Sequence, residues 1–204
     1  MVNGEKFKYI NIKDFLKMKN GVGENYLNKL FSDFLCPKNS DVENFLKRNS
    51  IEFCKKEQSV TYLVFSLKDE LVGYFSITIK PITIENTFLG GKSNKTRRKV
   101  ERFSELDEAT QSYTLSAYLV AQLGKNFKNG VNTKITGDEL LELALTVIDE
   151  IKYRGGGAIT FIETTEENKL LSFYEKNGFK KFSTKVSASS VKEKHTLIQM
   201  LKPI

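Results

Sequence analysis

Residues 170–179 read Leu-Leu-Ser-Phe-Tyr-Glu-Lys-Asn-Gly-Phe and carry the clearest chemical content in the chain. Their spacing predicts a short amphipathic helix that stops at Asn177-Gly178 and returns as a strand through Phe179-Lys180-Lys181-Phe182. Glycine suits such a corner because it takes the left-handed conformation without a Cβ clash. Phe173 and Phe179 are expected to share a core, with Tyr174 pointing in another direction. There its uncharged phenol would be a proton donor at neutral pH. A purely structural corner could use the same residues as packing.

A second constellation is Thr136-Gly-Asp-Glu139, which has the spacing of a capping box and opens a strongly amphipathic segment. The first amides of a helix lack intrahelical acceptors, and the helix dipole adds positive charge there. An apolar strand, a loop and such a helix start together suit a phosphate. Gly137 permits close approach of an anion to the backbone, and Lys125, Lys128 and Lys134 lie in the preceding loop as supplementary cations. Asp138 and Glu139 oppose this use, since their carboxylates would repel a phosphate unless turned away. An ordinary capped helix is the plain alternative.

Other chemistries find little support. Cys36 and Cys54 are the two cysteines, neither in a Cys-x-x-Cys pair, and His195 is the single histidine, so no zinc site of the usual Cys/His type is expected. A nucleophilic triad would have to use His195, and no Gly-x-Ser-x-Gly accompanies it. His195 reads instead as an exposed residue before the last strand.

The elements that must position these groups follow from periodicity. The part before about residue 57 reads as helical, with Tyr26, Leu27, Leu30, Phe31 and Phe34 on one face and Pro37 closing that segment. Ser40-Asp-Val-Glu43 fits another capping box. Residues 60–67 and 71–79 form a predicted antiparallel hairpin, ended or edged by Pro81. Residues 90–102 are a basic loop or a loop leading into a short helix, and 113–123 a strand. A helix over 137–151 carries Leu140, Leu141, Ala144, Leu145, Val147, Ile148 and Ile151 inward. Gly155-Gly156-Gly157, a buried strand over 158–163, a helix from about Asn168 to Lys176 and a strand over 196–201 complete the order.

At 204 residues, 40% hydrophobic and 28% charged, the chain has the composition of a globular protein with room for one full core. One domain over 1–204 is expected, with a helical N-terminal part to about residue 57. No apolar run approaches the ~20 residues of a membrane span, and Lys6 and Lys8 interrupt any secretion signal, so no membrane role and a cytoplasmic location are expected. The net charge of +7 fits a phosphorylated cofactor, an acidic substrate or nucleic acid.

The Phe-Tyr-x-x-x-Gly-Phe element at Phe173-Tyr174 and Gly178-Phe179, together with this order of elements, resembles the Gcn5-related N-acetyltransferase family. The resemblance covers about residues 60–204. It implies an α/β (α+β) fold with a single mixed, mostly antiparallel sheet flanked by helices. It also implies acetyl-CoA as cosubstrate, no metal, and Tyr174 facing the thioester as general acid. The family's pyrophosphate sequence, Gln/Arg-x-x-Gly-x-Gly/Ala followed by x-x-Leu-Leu, aligns with Asn132-Thr-Lys-Ile135-Thr-Gly137 and then Asp138-Glu139-Leu140-Leu141. Asn132 replaces the long polar residue and Ile135 the middle glycine, while Gly137 and the leucines conform. On this likeness Asn132, Lys134, Ile135, Thr136, Gly137 and Asp138 cradle the pyrophosphate. Leu123, Gly124 and Lys125 offer strand amides to the carbonyl and pantetheine, and Asn168 contacts the cofactor.

The implied reaction is direct transfer of acetyl to a primary amine. Glu163 is the one carboxylate offered as a base, acting through water. The acceptor is left open among a small molecule, a peptide or protein amine, and tRNA. Looser matches at Asp41-Val-Glu-Asn-Phe45-Leu46, Thr61-Tyr62-Leu63 and Gly73-Tyr74-Phe75 are similar to the toxin-type branch, which acetylates aminoacyl-tRNA. A homodimer through an edge strand is a further implication, and whether an antitoxin partner exists is left open. The rival class is an acyl-CoA- or nucleic-acid-binding module without turnover, favoured by the altered glycine pattern and the basic run Lys92, Lys95, Arg97, Arg98, Lys99 and Arg102.

Overall fold

The structure is a computed structural model describing residues 6–92, 94–157, 159–188 and 194–203. Along the chain run β1 (Phe7–Asn11), α1 (Ile12–Leu16), α2 (Val22–Ser32), α3 (Ser40–Asn44), a π-helical turn (Phe45–Asn49), α4 (Ser50–Lys55), β2 (Val60–Ser66) and β3 (Leu71–Glu85). There follow α5 (Asn86–Gly90), α6 (Asn94–Glu101), β4 (Leu106–Asp107), β5 (Ser112–Lys125), a 3-10 segment (Lys128–Thr133) and α7 (Gly137–Gly155). The order closes with β6 (Ile159–Thr164), α8 (Asn168–Lys176), β7 (Lys180–Ala188) and β8 (Lys194–Pro203). Hydrogen bonding orders the strands β1-β2-β3-β5-β6-β8-β7, with β4 on β5. β5 and β6 run parallel, whereas β1–β2, β2–β3, β4–β5, β6–β8 and β7–β8 are antiparallel. This is the mixed, mostly antiparallel α/β sheet expected.

The chain divides into two compact units, Met1–Thr78 with Val120–Asp149, and Ile79–Leu119 with Glu150–Ile204. In the first unit a core of Leu27, Phe31, Phe34, Leu46, Leu63 and Tyr74 forms beneath the N-terminal helices. α2 buries Leu27 and Phe31, but Tyr26 is exposed and stacks on Phe15, with ring centroids 5.4 Å apart, instead of joining the buried face. Tyr74 is fully buried, and its hydroxyl donates to the Val42 carbonyl at 2.6 Å. That bond takes an oxygen of the helical ladder where α3 passes into the π-helical turn, a recognised cause of such irregularity.

Three details up to β3 differ from the sequence-based expectation. The region is not wholly helical: β1 pairs antiparallel with β2, from Phe7 opposite Ser66 to Asn11 opposite Tyr62. Its alternation of buried Phe7 with exposed Lys8 is that of a charged edge strand. The cap of α3 is Asn39, whose Oδ1 accepts from the Asp41 and Val42 amides. Glu43 reaches further back, to the Cys36 amide at 2.7 Å. The hairpin's second strand continues through Pro81 to Glu85. Proline is tolerated there because the register with β2 ends at Ile77 opposite Val60, so no ladder bond to β2 is lost.

The second unit buries Ile84, Leu89, Ile159, Phe161, Phe179 and Met200. The basic stretch leads, as one of its two expected forms, into a short helix, α6. β6 begins at Ile159, and the expected first residue of that strand, Ala158, lies outside the described residues. His195 does not precede the last strand but lies within β8, opposite Ser187.

Candidate active site

In the first unit, β5 ends at Leu123, Gly124 and Lys125, and its tight packing explains the glycine. A Cβ on Gly124 would stand 2.4 Å from Val42 Cγ1 and 3.0 Å from Tyr74 Cε1. On β3, a Cβ on Gly73 would stand 2.8 Å from the Gly124 carbonyl oxygen, so two glycines let the strand backbones approach. The register of β5 with β6 comprises Tyr118 opposite Thr160 and Leu119 opposite Phe161. Val120–Lys125 continues beyond it.

The connection to α7 is self-bonded. Asn129 (φ 52°) and Gly130 (φ 73°) take left-handed conformations, and Thr133 Oγ1 donates to the Gly130 carbonyl at 2.9 Å. Asn132 is half-buried within this 3-10 segment. Ile135 is buried, so what it offers a ligand is backbone rather than side chain. Its carbonyl accepts Lys125 Nζ at 2.7 Å, and burial holds the Lys125 ammonium below the usual lysine range. Lys134 Nζ is shared between both carboxylate oxygens of Glu70, and Lys128 lies 3.8 Å from Asp33. The three supplementary cations thus each have a partner within the chain.

The capping box at α7 is closed. The Glu139 amide donates to Thr136 Oγ1 at 3.1 Å, while Glu139 Oε2 accepts from the Thr136 amide at 2.8 Å and hydroxyl at 2.9 Å. Lys6 Nζ donates to Glu139 Oε1 at 2.9 Å. The Thr136 amide, followed by Lys6, lowers the carboxyl to about 2. Glu139 is therefore turned back over the helix start and neutralised by Lys6. Gly137 and Asp138 begin α7, both half-exposed.

The second unit holds the tyrosine. α8 runs from Asn168, which is exposed, to Lys176, and ends in a Schellman motif. Gly178 has φ +86°, its amide donates to the Glu175 carbonyl at 2.9 Å, and the Phe179 amide donates to the Tyr174 carbonyl at 3.0 Å. Tyr174 does not point away from the phenylalanines: its ring meets Phe173 edge-on at 5.0 Å and Phe179 at 5.7 Å. Phe179 is buried, whereas Phe173 is half-buried, because α8 is short and lies at the surface. Burial pushes the Tyr174 phenol up to about 12, and its hydroxyl has no hydrogen-bond partner among the described residues. The phenol is therefore neutral at physiological pH. Glu163 Oε1, by contrast, already accepts from Gln199 Nε2 at 2.9 Å and Lys185 Nζ at 3.2 Å.

Sequence reasoning missed Asn126, a buried residue that follows β5 directly. Among the described residues no cluster of His, Cys, Asp or Glu could hold a metal ion, and no helix is long and apolar enough to cross a membrane.

No protein-family model and no curated protein matches the chain. Solved structures do. A Tyr→Phe mutant of KacT matches at TM-score 0.60 and 14% identity, over 98% of this chain and 95% of that one. AtaT complexed with acetyl-methionyl-tRNAfMet matches at 0.56 and 13%, over 94% and 93%. A Tyr→Phe mutant of the AtaT toxin, bound to the C-terminus of the antitoxin AtaR and acetyl-CoA, matches at 0.56 and 11%, over 98% and 94%. The fold is thus that of toxin-type Gcn5-related acetyltransferases along nearly the whole chain, as the motifs implied.

Proposed function

We propose that the protein is an acetyl-CoA-dependent N-acetyltransferase that moves an acetyl group directly to a primary amine. What supports the reading is a fold like that of the toxin structures over nearly the whole chain, together with a helix that starts at Gly137 and a phenol at Tyr174 that burial keeps protonated. Acetyl-CoA would supply the activated acyl carbon as a thioester. The residues that fit it are the amides at the start of α7 for the pyrophosphate, the strand backbone at Leu123, Gly124 and Lys125 for the extended pantetheine amides, and Asn168 at the start of α8. Engaging the Thr136 amide would require Glu139 to release it.

The amine nitrogen forms a bond to the acyl carbon, the carbon–sulfur bond breaks, and the amine gives up a proton to solvent water. The departing sulfur needs one. Tyr174 donates it and later recovers from water the proton it has given to sulfur. Burial keeps the phenol protonated across the physiological range, so the proton is in place, although the same burial makes the phenol a weaker acid. Backbone amides aimed at the carbonyl oxygen stabilise developing charge without reorganising.

Within this activity, aminoacyl-tRNA is the acceptor favoured by the likeness to AtaT, which has been solved with acetyl-methionyl-tRNAfMet. An antitoxin partner belongs to the same reading, since AtaT is also solved with the C-terminus of AtaR. Two measurements test the proposal. Calorimetry should show acetyl-CoA binding by the wild type and strong weakening in Gly137→Glu, which places a side chain and a negative charge at the helix start. Unchanged affinity in a folded Gly137→Glu protein would move the pyrophosphate elsewhere. Incubation with radiolabelled acetyl-CoA and separate pools of charged tRNA, peptide and small amines should label one pool. Binding without label in any pool would favour a non-catalytic acyl-CoA module.

A further inference from the structure

We infer that Asn126 is a positioning residue for the cofactor loop, fixing where β5 stops and where the segment leading to α7 begins. The inference rests on the acetyltransferase reading above. Asn126 is buried, and three partners engage its carboxamide. Oδ1 accepts from the Leu35 amide at 3.0 Å and from the Lys128 amide at 3.0 Å, while Nδ2 donates to the Leu71 carbonyl at 2.9 Å. The adjoining backbone adds Asn126 N to the Val72 carbonyl at 2.9 Å and Phe127 N to the Leu35 carbonyl at 2.7 Å. Three segments of one unit therefore meet on one side chain: the stretch after α2, the start of β3 and the cofactor loop.

The partners dictate how the amide faces. Two N–H donors on one side demand the oxygen, and a carbonyl on the other demands the nitrogen. Aspartate keeps the acceptors but sets a carboxylate oxygen against the Leu71 carbonyl; serine is too short to span the segments. At its far end the loop is held by Lys125 on the Ile135 carbonyl and Lys134 on Glu70. Asn126 thus sets the loop's entry and the two lysines its exit. Amides bind phosphate well only when prearranged, so a loosened entry should appear in cofactor binding before it appears in chemistry.

The test uses the full chain as wild type, Asn126→Asp and Asn126→Ser. Amide hydrogen exchange is followed over residues 127–136, with acetyl-CoA calorimetry and steady-state kinetics alongside. Both variants should exchange faster in that loop. Loss of one buried hydrogen bond should raise the Kd and KM for acetyl-CoA about tenfold, with kcat at saturating acetyl-CoA within about twofold. Unchanged loop exchange, or faster exchange with unchanged Kd, overturns the assignment, since a purely structural role would lower Tm alone. If the wild type itself gives no heat with acetyl-CoA, the acetyltransferase reading fails and this role fails with it, whatever the exchange shows.

Discussion

Tyr174 and Phe179 are joined twice. The Phe179 amide donates to the Tyr174 carbonyl at 3.0 Å, and the two rings meet edge-on with centroids 5.7 Å apart. The backbone bond is half of the Schellman motif that Gly178 makes possible, so the glycine that stops α8 also fixes the tyrosine's position. Buried Phe179 forms one wall beside the half-buried tyrosine ring.

Tyr174→Phe keeps the ring and both edge-on contacts while removing the donor. Folding should survive, with Tm within a few degrees of wild type, and kcat should fall by roughly 10²–10⁴-fold, the usual worth of a general acid. With the phenol pushed up to about 12, the wild-type rate should show no loss from Tyr174 deprotonation up to about pH 9. Wild-type turnover in the folded variant would assign Tyr174 to packing.

The closed capping box predicts a pH-dependent stability. The Glu139 carboxyl sits at about 2 in the folded chain, below the ordinary value of 4.5. Between those values the unfolded chain binds more protons, so stability rises with pH there, is complete above about 4.5 and is lost as pH falls toward 2. Denaturant titrations at pH 3 and pH 6 should differ less for Glu139→Gln than for wild type. Thr136→Ala, which removes the cap oxygen, should cost about 1 kcal/mol. Equal pH sensitivity in wild type and Glu139→Gln would show that the pairing with Thr136 and Lys6 contributes nothing to folding.

Gly124 is a packing glycine as well as a strand-end residue. Adding one methyl places it 2.4 Å from Val42 Cγ1, between a helix and a fully buried tyrosine that cannot retreat freely. Overpacking of this kind costs about 1–3 kcal/mol. Gly124→Ala should therefore lower the midpoint of chemical unfolding measurably, and an unaltered midpoint would mean that α3 shifts at no cost.

What was legible in the sequence follows from which signals are local. α7 and α8 stood out because their apolar spacing and their terminal residues, Thr136, Glu139 and Gly178, lie within a few positions of one another. β1 was hidden by its shortness and by Lys6 and Lys8, which read as interruptions although they alternate with inward residues as an edge strand requires. The cap of α3 was displaced by one residue because Asn39 and Ser40 are both competent. Asn126 was invisible for a different reason: Leu35 and Leu71 lie 91 and 55 positions away, and no local pattern announces such bonds. The pairing of Lys134 with Glu70 is likewise long-range, so a lysine expected to wait for phosphate has a carboxylate already.

The basic run divides in two once its surroundings are known. Arg97 is committed, its Nε to Glu101 at 3.0 Å and a terminal nitrogen to Asn86 at 3.0 Å, so it braces α6 against α5. Lys92 lies over the Phe88 ring at 4.3 Å. Arg98 and Arg102 are exposed and one helical turn apart, linked by the Arg102 amide on the Arg98 carbonyl at 3.2 Å, with no ion pair among the described residues. If the acceptor is a polyanion such as tRNA, these two side chains engage phosphates, and log affinity should fall steeply with log salt. Arg98→Gln with Arg102→Gln should flatten that slope by about one unit for each phosphate no longer engaged, and leave acetyl-CoA binding unchanged. Neutralising Arg97 instead should lower stability, because it removes the brace. Binding of charged tRNA that is insensitive to salt, or absent, would turn the acceptor assignment to a small or peptide amine.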